Sequence, residues 1–231
     1  MFITTDGGDI WFPIFDEASN LAVGHIQIDP SNANTIYVGT GDPNIMAYPF
    51  IGDGLYRSRN GGESWEHLGL TDQRIISKVV IHPQDSNVVY AACMGLPFEK
   101  NNDRGVYKSI DGGQSWSQVL LDSDSTGVID LLIDPQNPQR LYAATWDRIR
   151  NNFQSIVSGY GAGVFRTENG GQSWEKLTNG LPQGKFSRVG LTMSAVNPQT
   201  VFALFNDDRT FEVQGIYKTT DAGDSREAIT L

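Results

Sequence analysis

A single cysteine, Cys93, in a chain of 231 residues leaves no disulfide to form within the chain. It sits in an apolar run with no histidine nearby in sequence, so it reads as a buried strand thiol rather than a nucleophile. Charge is also scarce, at 19% of residues, and it leans acidic: 17 Lys and Arg against 27 Asp and Glu, a net −10. That balance argues against nucleic acid or an anionic membrane as partner and leaves cations, basic peptides and neutral sugars. The histidines, His25, His67 and His82, are scattered without metal-ligand spacing. Residues Asp122 to Gly127 begin like a calcium loop, but its twelfth position is Ile133 where a bidentate Glu is needed, so neither metal nor cofactor is expected. No apolar run reaches membrane-spanning length, and Met1-Phe2-Ile3-Thr4 lacks the regions of a signal peptide. The expectation is no membrane insertion, and either a cytoplasmic protein or one that is secreted, periplasmic or at the cell surface with its export signal outside this chain.

What the chain does have is glycine, 25 of them, aromatics at 10%, and a repeat. The stretch Ser109-Ile110-Asp111-Gly112-Gly113-Gln114-Ser115-Trp116 recurs around Asp6, Asn60 and Asn169, with Trp11, Trp65 and Trp174 at the last position. A fifth copy, around Asp221, has Arg226 in place of the tryptophan. The steps between the Asp or Asn positions are 54, 51, 58 and 52 residues, the span of about four short strands in a propeller blade. An Asp or Asn oxygen followed by two glycines suits a tight turn, because the oxygen accepts from nearby backbone N–H groups and glycine supplies positive φ. Interchange of Asp with Asn fits a hydrogen-bond acceptor better than a proton carrier or metal ligand, so these boxes read as structural, with each tryptophan buried between blades.

The unit resembles the Asp-box, or BNR repeat, of sialidases, xyloglucan-degrading glycoside hydrolases and sortilin-type receptors. Further segments, Tyr37 to Asp42, Gly127 to Pro135 and Leu141 to Trp146, look like large bacterial sortilin-like proteins often labelled glycosyl hydrolases. The resemblance covers residues from about 1 to 221 and implies an all-β Asp-box propeller of more than four blades. The Phe-Arg-Ile-Pro segment that marks sialidases is absent. The resemblance to the xyloglucan enzymes implies catalytic acids shared between two facing propellers.

Strand and turn signals divide the chain into a partial blade at 1–18, blades at about 19–70, 71–121 and 122–180, and a partial blade at 181–231 that stops after its box. Period-2 alternation is expected along the strands. No linker or second domain is evident. The arc is expected to be open, part of a larger propeller completed by further sequence or a second copy.

Strand direction puts the short first-to-second turns and the boxes on one face and the long second-to-third loops on the other. Those loops carry Asp42, Asn44, Tyr48, Phe98, Arg104, Trp146, Asp147, Arg148, Arg150 and Tyr160, aromatic rings beside charges that suit a sugar, peptide or protein ligand, or else solvated loop decoration. Trp146, the one tryptophan outside a box, reads either as a stacking platform or as a plug for the central funnel. Two functions follow: a non-catalytic binding or scaffold module, which is favoured, or a glycosidase. The second needs an acid and a carboxylate roughly 5 to 10 Å apart, for which Asp42, Glu99 and Asp147 are the candidates.

Overall fold

The computed structural model describes residues 1–45, 49–225 and 227–229; Tyr48 lies outside the described residues. Every element in it is a strand. A leading pair, β1 (Phe2–Ile3) and β2 (Phe12–Pro13), precedes four antiparallel sheets of four strands each. The first blade is β3 (Val23–Asp29), β4 (Asn32–Thr40), β5 (Leu55–Ser58) and β6 (Glu66–His67). The second is β7 (Ile76–Ile81), β8 (Val89–Cys93), β9 (Gly105–Ser109) and β10 (Ser117–Leu120). The third is β11 (Thr126–Ile133), β12 (Leu141–Asp147), β15 (Gly163–Thr167) and β16 (Glu175–Lys176), with a small hairpin of β13 (Ile149–Arg150) and β14 (Ser155–Ile156) rising between its second and third strands. The fourth is β17 (Val189–Met193), β18 (Val201–Asn206), β19 (Val213–Thr219) and β20 (Glu227–Ile229). This corrects the expectation of a three-strand ending, because β20 pairs along β19 and completes the sheet.

First strands lie against one another in succession, β3 on β7, β7 on β11 and β11 on β17, so the sheets stack as blades around their inner edges. The cores are the layers between blades. Leu55 and Leu68 meet Ile76, Val79 and Ala91; Tyr90 and Val106 meet Leu131 and Phe165; Tyr142 and Val164 meet Val189, Ala203 and Phe205. Being covered on both sides, β8 and β12 are buried at every position, so the expected alternation is absent there. It survives in β18, buried at every second residue, where among the described residues no further blade lies against the outward face of the sheet.

The five boxes share one geometry. In the second blade, Ser109 Oγ donates to Asp111 Oδ1 (2.7 Å) and accepts from Gly113 N (2.7 Å), while Ser115 N donates to Asp111 Oδ1 (2.9 Å). The position after the Asp or Asn has positive φ in every copy, from Gly7 at 78° to Ala222 at 58°, so the alanine of the fifth box adopts the glycine conformation. Hydroxyl and amide donors hold the Asp111 and Asp221 carboxyls well below the usual carboxylate range, led in both by the hydroxyl of the serine four residues on. In Asn60 and Asn169 the side-chain nitrogen instead donates to that serine, Ser64 or Ser173, at 2.9 and 2.8 Å. Either residue therefore closes the turn with the same partners.

One repeated contact was not anticipated from the sequence. The second-strand tyrosine and third-strand cation of each of the first three blades, paired in register, converge on the backbone carbonyl after the box Asp or Asn of the next blade. Tyr37 (3.3 Å) and Arg57 donate to Gly112 O; Tyr90 (3.1 Å) and Lys108 (2.8 Å) to Gly170 O; Tyr142 (2.6 Å) and Arg166 (2.8 Å) to Ala222 O. The box tryptophans reach the other way: Trp116 Nε1 donates to Leu68 O (2.9 Å) and Trp65 Nε1 to Ile14 O, each in the preceding sheet or its edge. Trp174 packs alike, its Nε1 buried without a partner.

Candidate functional site: the face of the long loops

The loops that follow second strands gather on one side, and their irregular backbone leaves many carbonyls without a strand partner. Two buried guanidinium groups serve them. Arg104, with no exposed surface, donates from Nη1 to Met94 O (2.8 Å) and Arg148 O (3.2 Å), and from Nη2 to Leu96 O (2.8 Å) and Glu99 O (3.0 Å). Arg148 donates to Ile149 O (3.2 Å), Ile156 O (3.0 Å) and Ile45 O, with its guanidinium 5.5 Å from the centre of the Trp146 ring. Burial lowers the pKa of both to about 10, and each remains charged at neutral pH.

Trp146 is 7% exposed, packed in the layer between the third and fourth blades, and its Nε1 donates to Val157 O at 2.8 Å. Its burial in that layer is not the position of an open stacking platform. Arg104, Trp146 and Arg148, all offered as ligand contacts, face loop backbone instead.

Asp147 is buried too. Thr126 Oγ1 donates to its Oδ1 and Gly161 N to its Oδ2 (2.8 Å). A Cβ at Gly159 or Gly161 would lie 1.8 or 2.3 Å from that carboxylate, so glycine is required at both for the loop to close over it. Asp42 is half-buried and accepts from Asn44 N (2.9 Å) within its own turn; Asn44 Oδ1 in turn accepts from Arg188 Nη1 of the fourth blade (2.5 Å). Glu99 is exposed. Ile45 was missed in the sequence reading: it is fully buried in the same layer as Trp146, and an isoleucine amid Gly, Asp, Pro and Asn was the available signal.

What stays open is a cleft of about 1050 Å³ lined by Pro49, Phe98, Arg150, Asn151, Asn152, Phe153, Gln154 and Ser155. Its walls are tied together: Arg150 N donates to Pro97 O (2.7 Å) and Asn151 Nδ2 to Phe98 O (2.8 Å), clamping the β13–β14 hairpin to the loop of the second blade. Asn151 Oδ1 also accepts from Phe153 N (2.9 Å) and Gln154 N (3.0 Å), which fixes the hairpin tip. On that tip Phe153 is 98% exposed, with Phe98 40% exposed across the cleft. Tyr160, also exposed, sits apart over a depression of about 180 Å³ with the Lys185 ammonium 5.3 Å from its ring centre. Among the described residues no three His, Cys, Asp or Glu side chains gather as a metal site. A larger hollow of about 1300 Å³ lies at the other edge, between the leading pair and the first blade.

Blade stacking, box turns and loop face together define a β-propeller. The chain belongs to the sortilin-Vps10 family, whose model, described as "Sortilin, neurotensin receptor 3", matches residues 53–231. It is similar to the xyloglucanase Xgh74A of Acetivibrio thermocellus, 23% identical over 220 residues, covering 80% of this chain and 24% of that protein. It is also similar to the oligoxyloglucan-reducing end-specific xyloglucanase of Emericella nidulans, 21% identical over 215 residues and covering 77% and 24%. Among solved structures it resembles an ancestral GH74 enzyme (TM-score 0.68, 24% identity, 92% of this chain and 24% of that one). A GH74 xyloglucanase from Xanthomonas campestris matches with TM-score 0.51 and 16% identity over 95% of this chain and 40% of that one. The chain thus spans about a quarter of the length of the curated relatives it matches.

Proposed function

We propose that this chain is a non-catalytic binding module that holds a glycan of the xyloglucan type in the cleft between Phe98 and Phe153, as part of an exported protein. The observation that carries this reading is the composition of the cleft. Two exposed phenylalanines offer faces on which a pyranose ring can stack, Arg150 and the amides of Asn152 and Gln154 offer hydrogen bonds, and among the described residues no carboxylic acid lines the cleft. A glycosidase needs two carboxyl groups flanking one bond. Here Asp147 is buried under Gly159 and Gly161, Asp42 closes its own turn and Glu99 stands exposed outside the cleft lining. The names of the relatives supply the glycan class, and a polysaccharide ligand implies a location outside the cytoplasm.

The test is calorimetric titration with xyloglucan oligosaccharides alongside a reducing-sugar assay on the polymer. Binding without turnover, weakened tenfold or more by Phe153→Ser, is expected. Turnover abolished by Asp42→Asn or Asp147→Asn would overturn the reading in favour of a glycosidase, and binding unchanged in Phe153→Ser would remove this cleft.

A further inference from the structure

The blade arginines Arg57, Arg140 and Arg166 each pair with a carboxylate, lying 2.6, 2.8 and 2.6 Å from Glu66, Glu168 and Glu175. Arg150 does not. It lines the cleft between Phe98 and Phe153 half-buried, and among the described residues its guanidinium has neither a hydrogen-bond acceptor nor an ion-pair partner. Met46, Ala47 and Tyr48, which precede the lining Pro49 and lie outside the described residues, contain no carboxylate. In a chain of net charge −10, an arginine left without an acid is out of keeping with the composition.

A second positive charge stands behind the same wall. Arg148 is buried and donates only to neutral acceptors: Ile149 O, Ile156 O, Ile45 O and, from Nη1 at 3.3 Å, the hydroxyl of Ser155, which lines the cleft. Burial, and after it repulsion from Arg150, lower the Arg148 pKa to about 10, so the group stays charged at neutral pH. Two like charges, one of them desolvated, are costly to hold together unless something of opposite sign completes them.

The walls also supply donors. Arg150 offers its planar fork, Asn152 and Gln154 their amide N–H groups, and Ser155 a hydroxyl that accepts from Arg148 and keeps its own proton to give. An ionised carboxylate accepts only, through two oxygens spaced to match a guanidinium. The exposed rings of Phe98 and Phe153 suit the pyranose that would carry it, and favour a sugar over an acidic peptide.

We propose that the sugar seated in this cleft is a uronic acid unit, its ring on the phenylalanines and its carboxylate held by the Arg150 fork with the Ser155 hydroxyl donating beside it. This rests on the reading of the cleft as a glycan site and narrows the ligand to a xyloglucan-type glycan that bears carboxylates. Arg148 contributes its field without touching the ligand.

Calorimetric titration of the full chain compares three forms of one ligand: galactose-bearing xyloglucan oligosaccharides, the same with the galactose C6 alcohol oxidised to the carboxylate, and the amide of that acid. The acid is expected to bind roughly tenfold tighter than either neutral form, the return on a hydrogen-bonded charge pair. The preference should shrink as sodium chloride is raised. Arg150→Gln, its fold checked by circular dichroism, is expected to bring the three forms to equal affinity. Equal affinity of the three for the parent chain, a comparison that needs no variant, overturns the uronic acid and leaves the glycan reading intact. So does a preference for the acid that persists in Arg150→Gln. Failure of every form to bind overturns both readings, and binding of a polyglutamate peptide in that case, weakened in Arg150→Gln, assigns the cleft to acidic peptides instead.

Discussion

The two faces of this propeller solve the same problem, a reversal of chain direction, by opposite means. On the box face each box is closed by its own residues: a hydroxyl, an Asp or Asn and two backbone N–H groups within seven positions, repeated with little change from Asp6 to Asp221. On the loop face the segments differ in length and in the residues that close them. Long segments leave carbonyls unpaired, and these are satisfied from a distance by Arg104 and Arg148, with Trp146 and Ile45 filling the space beneath. A buried backbone carbonyl must find a donor somewhere. A local solution can be repeated without loss, whereas one that depends on residues as far apart as Ile45 and Arg148 is particular to its place and leaves each loop free to carry a different surface.

If the contrast is real, the largest loss of stability should come from the loop face. Trp146→Ala is expected to destabilise the fold by about 3–5 kcal/mol in denaturant unfolding, the range for emptying a buried tryptophan site. A change under about 1 kcal/mol would return Trp146 to the exposed, ligand-facing role its sequence position suggested. At a junction, Tyr142→Phe removes one of two donors to Ala222 O and leaves Arg166 in place; about 1 kcal/mol is expected. A loss several times larger would mean the tyrosine, not the cation, carries the junction.

Within the boxes the comparison is between Asp and Asn. The carboxyls of Asp6, Asp111 and Asp221 are held below their unfolded value near 4. Their contribution is therefore fully present above that value and is lost as pH falls through it towards the folded pKa. Asp111→Asn, which copies the Asn60 turn, should leave melting at pH 7 nearly unchanged and make the decline between pH 5 and 2 shallower. An unaltered acid limb would show that the box carboxylates do not govern acid unfolding. The smallest effect belongs to Phe153→Ser, expected to shift stability by no more than about 0.5 kcal/mol while weakening the ligand. Unfolding of that variant would mean the hairpin tip is structural.

The boxes were legible in the sequence because every bond in them is local, and the strands because turn residues punctuate them at even spacing. The fourth strand of the last blade was not, since Glu227-Ala228-Ile229 follows a box without tryptophan and only its pairing with β19 defines it. The site was legible less well. Charged and aromatic residues in Gly- and Asn-rich loops look exposed, and for Phe98 and Phe153 that holds, with Arg150 half-buried in the same cleft. Arg104, Trp146 and Arg148 have the same local sequence character, yet are drawn inward by carbonyls that become neighbours only once three blades are in place. The junctions of tyrosine and cation were hidden for a related reason. Their acceptor is a main-chain oxygen, which no side-chain pattern announces.

That acceptor has a consequence for how such proteins change over time. In the contact to the box carbonyl one partner is written in side chains and the other in backbone, so that receiving position needs only to keep its left-handed φ, as Ala222 does at 58°. Duplication, loss or reordering of blades then needs no matched substitution at this one contact, and only the side chains of the layers between blades must be fitted anew when a propeller is lengthened or shortened one blade at a time.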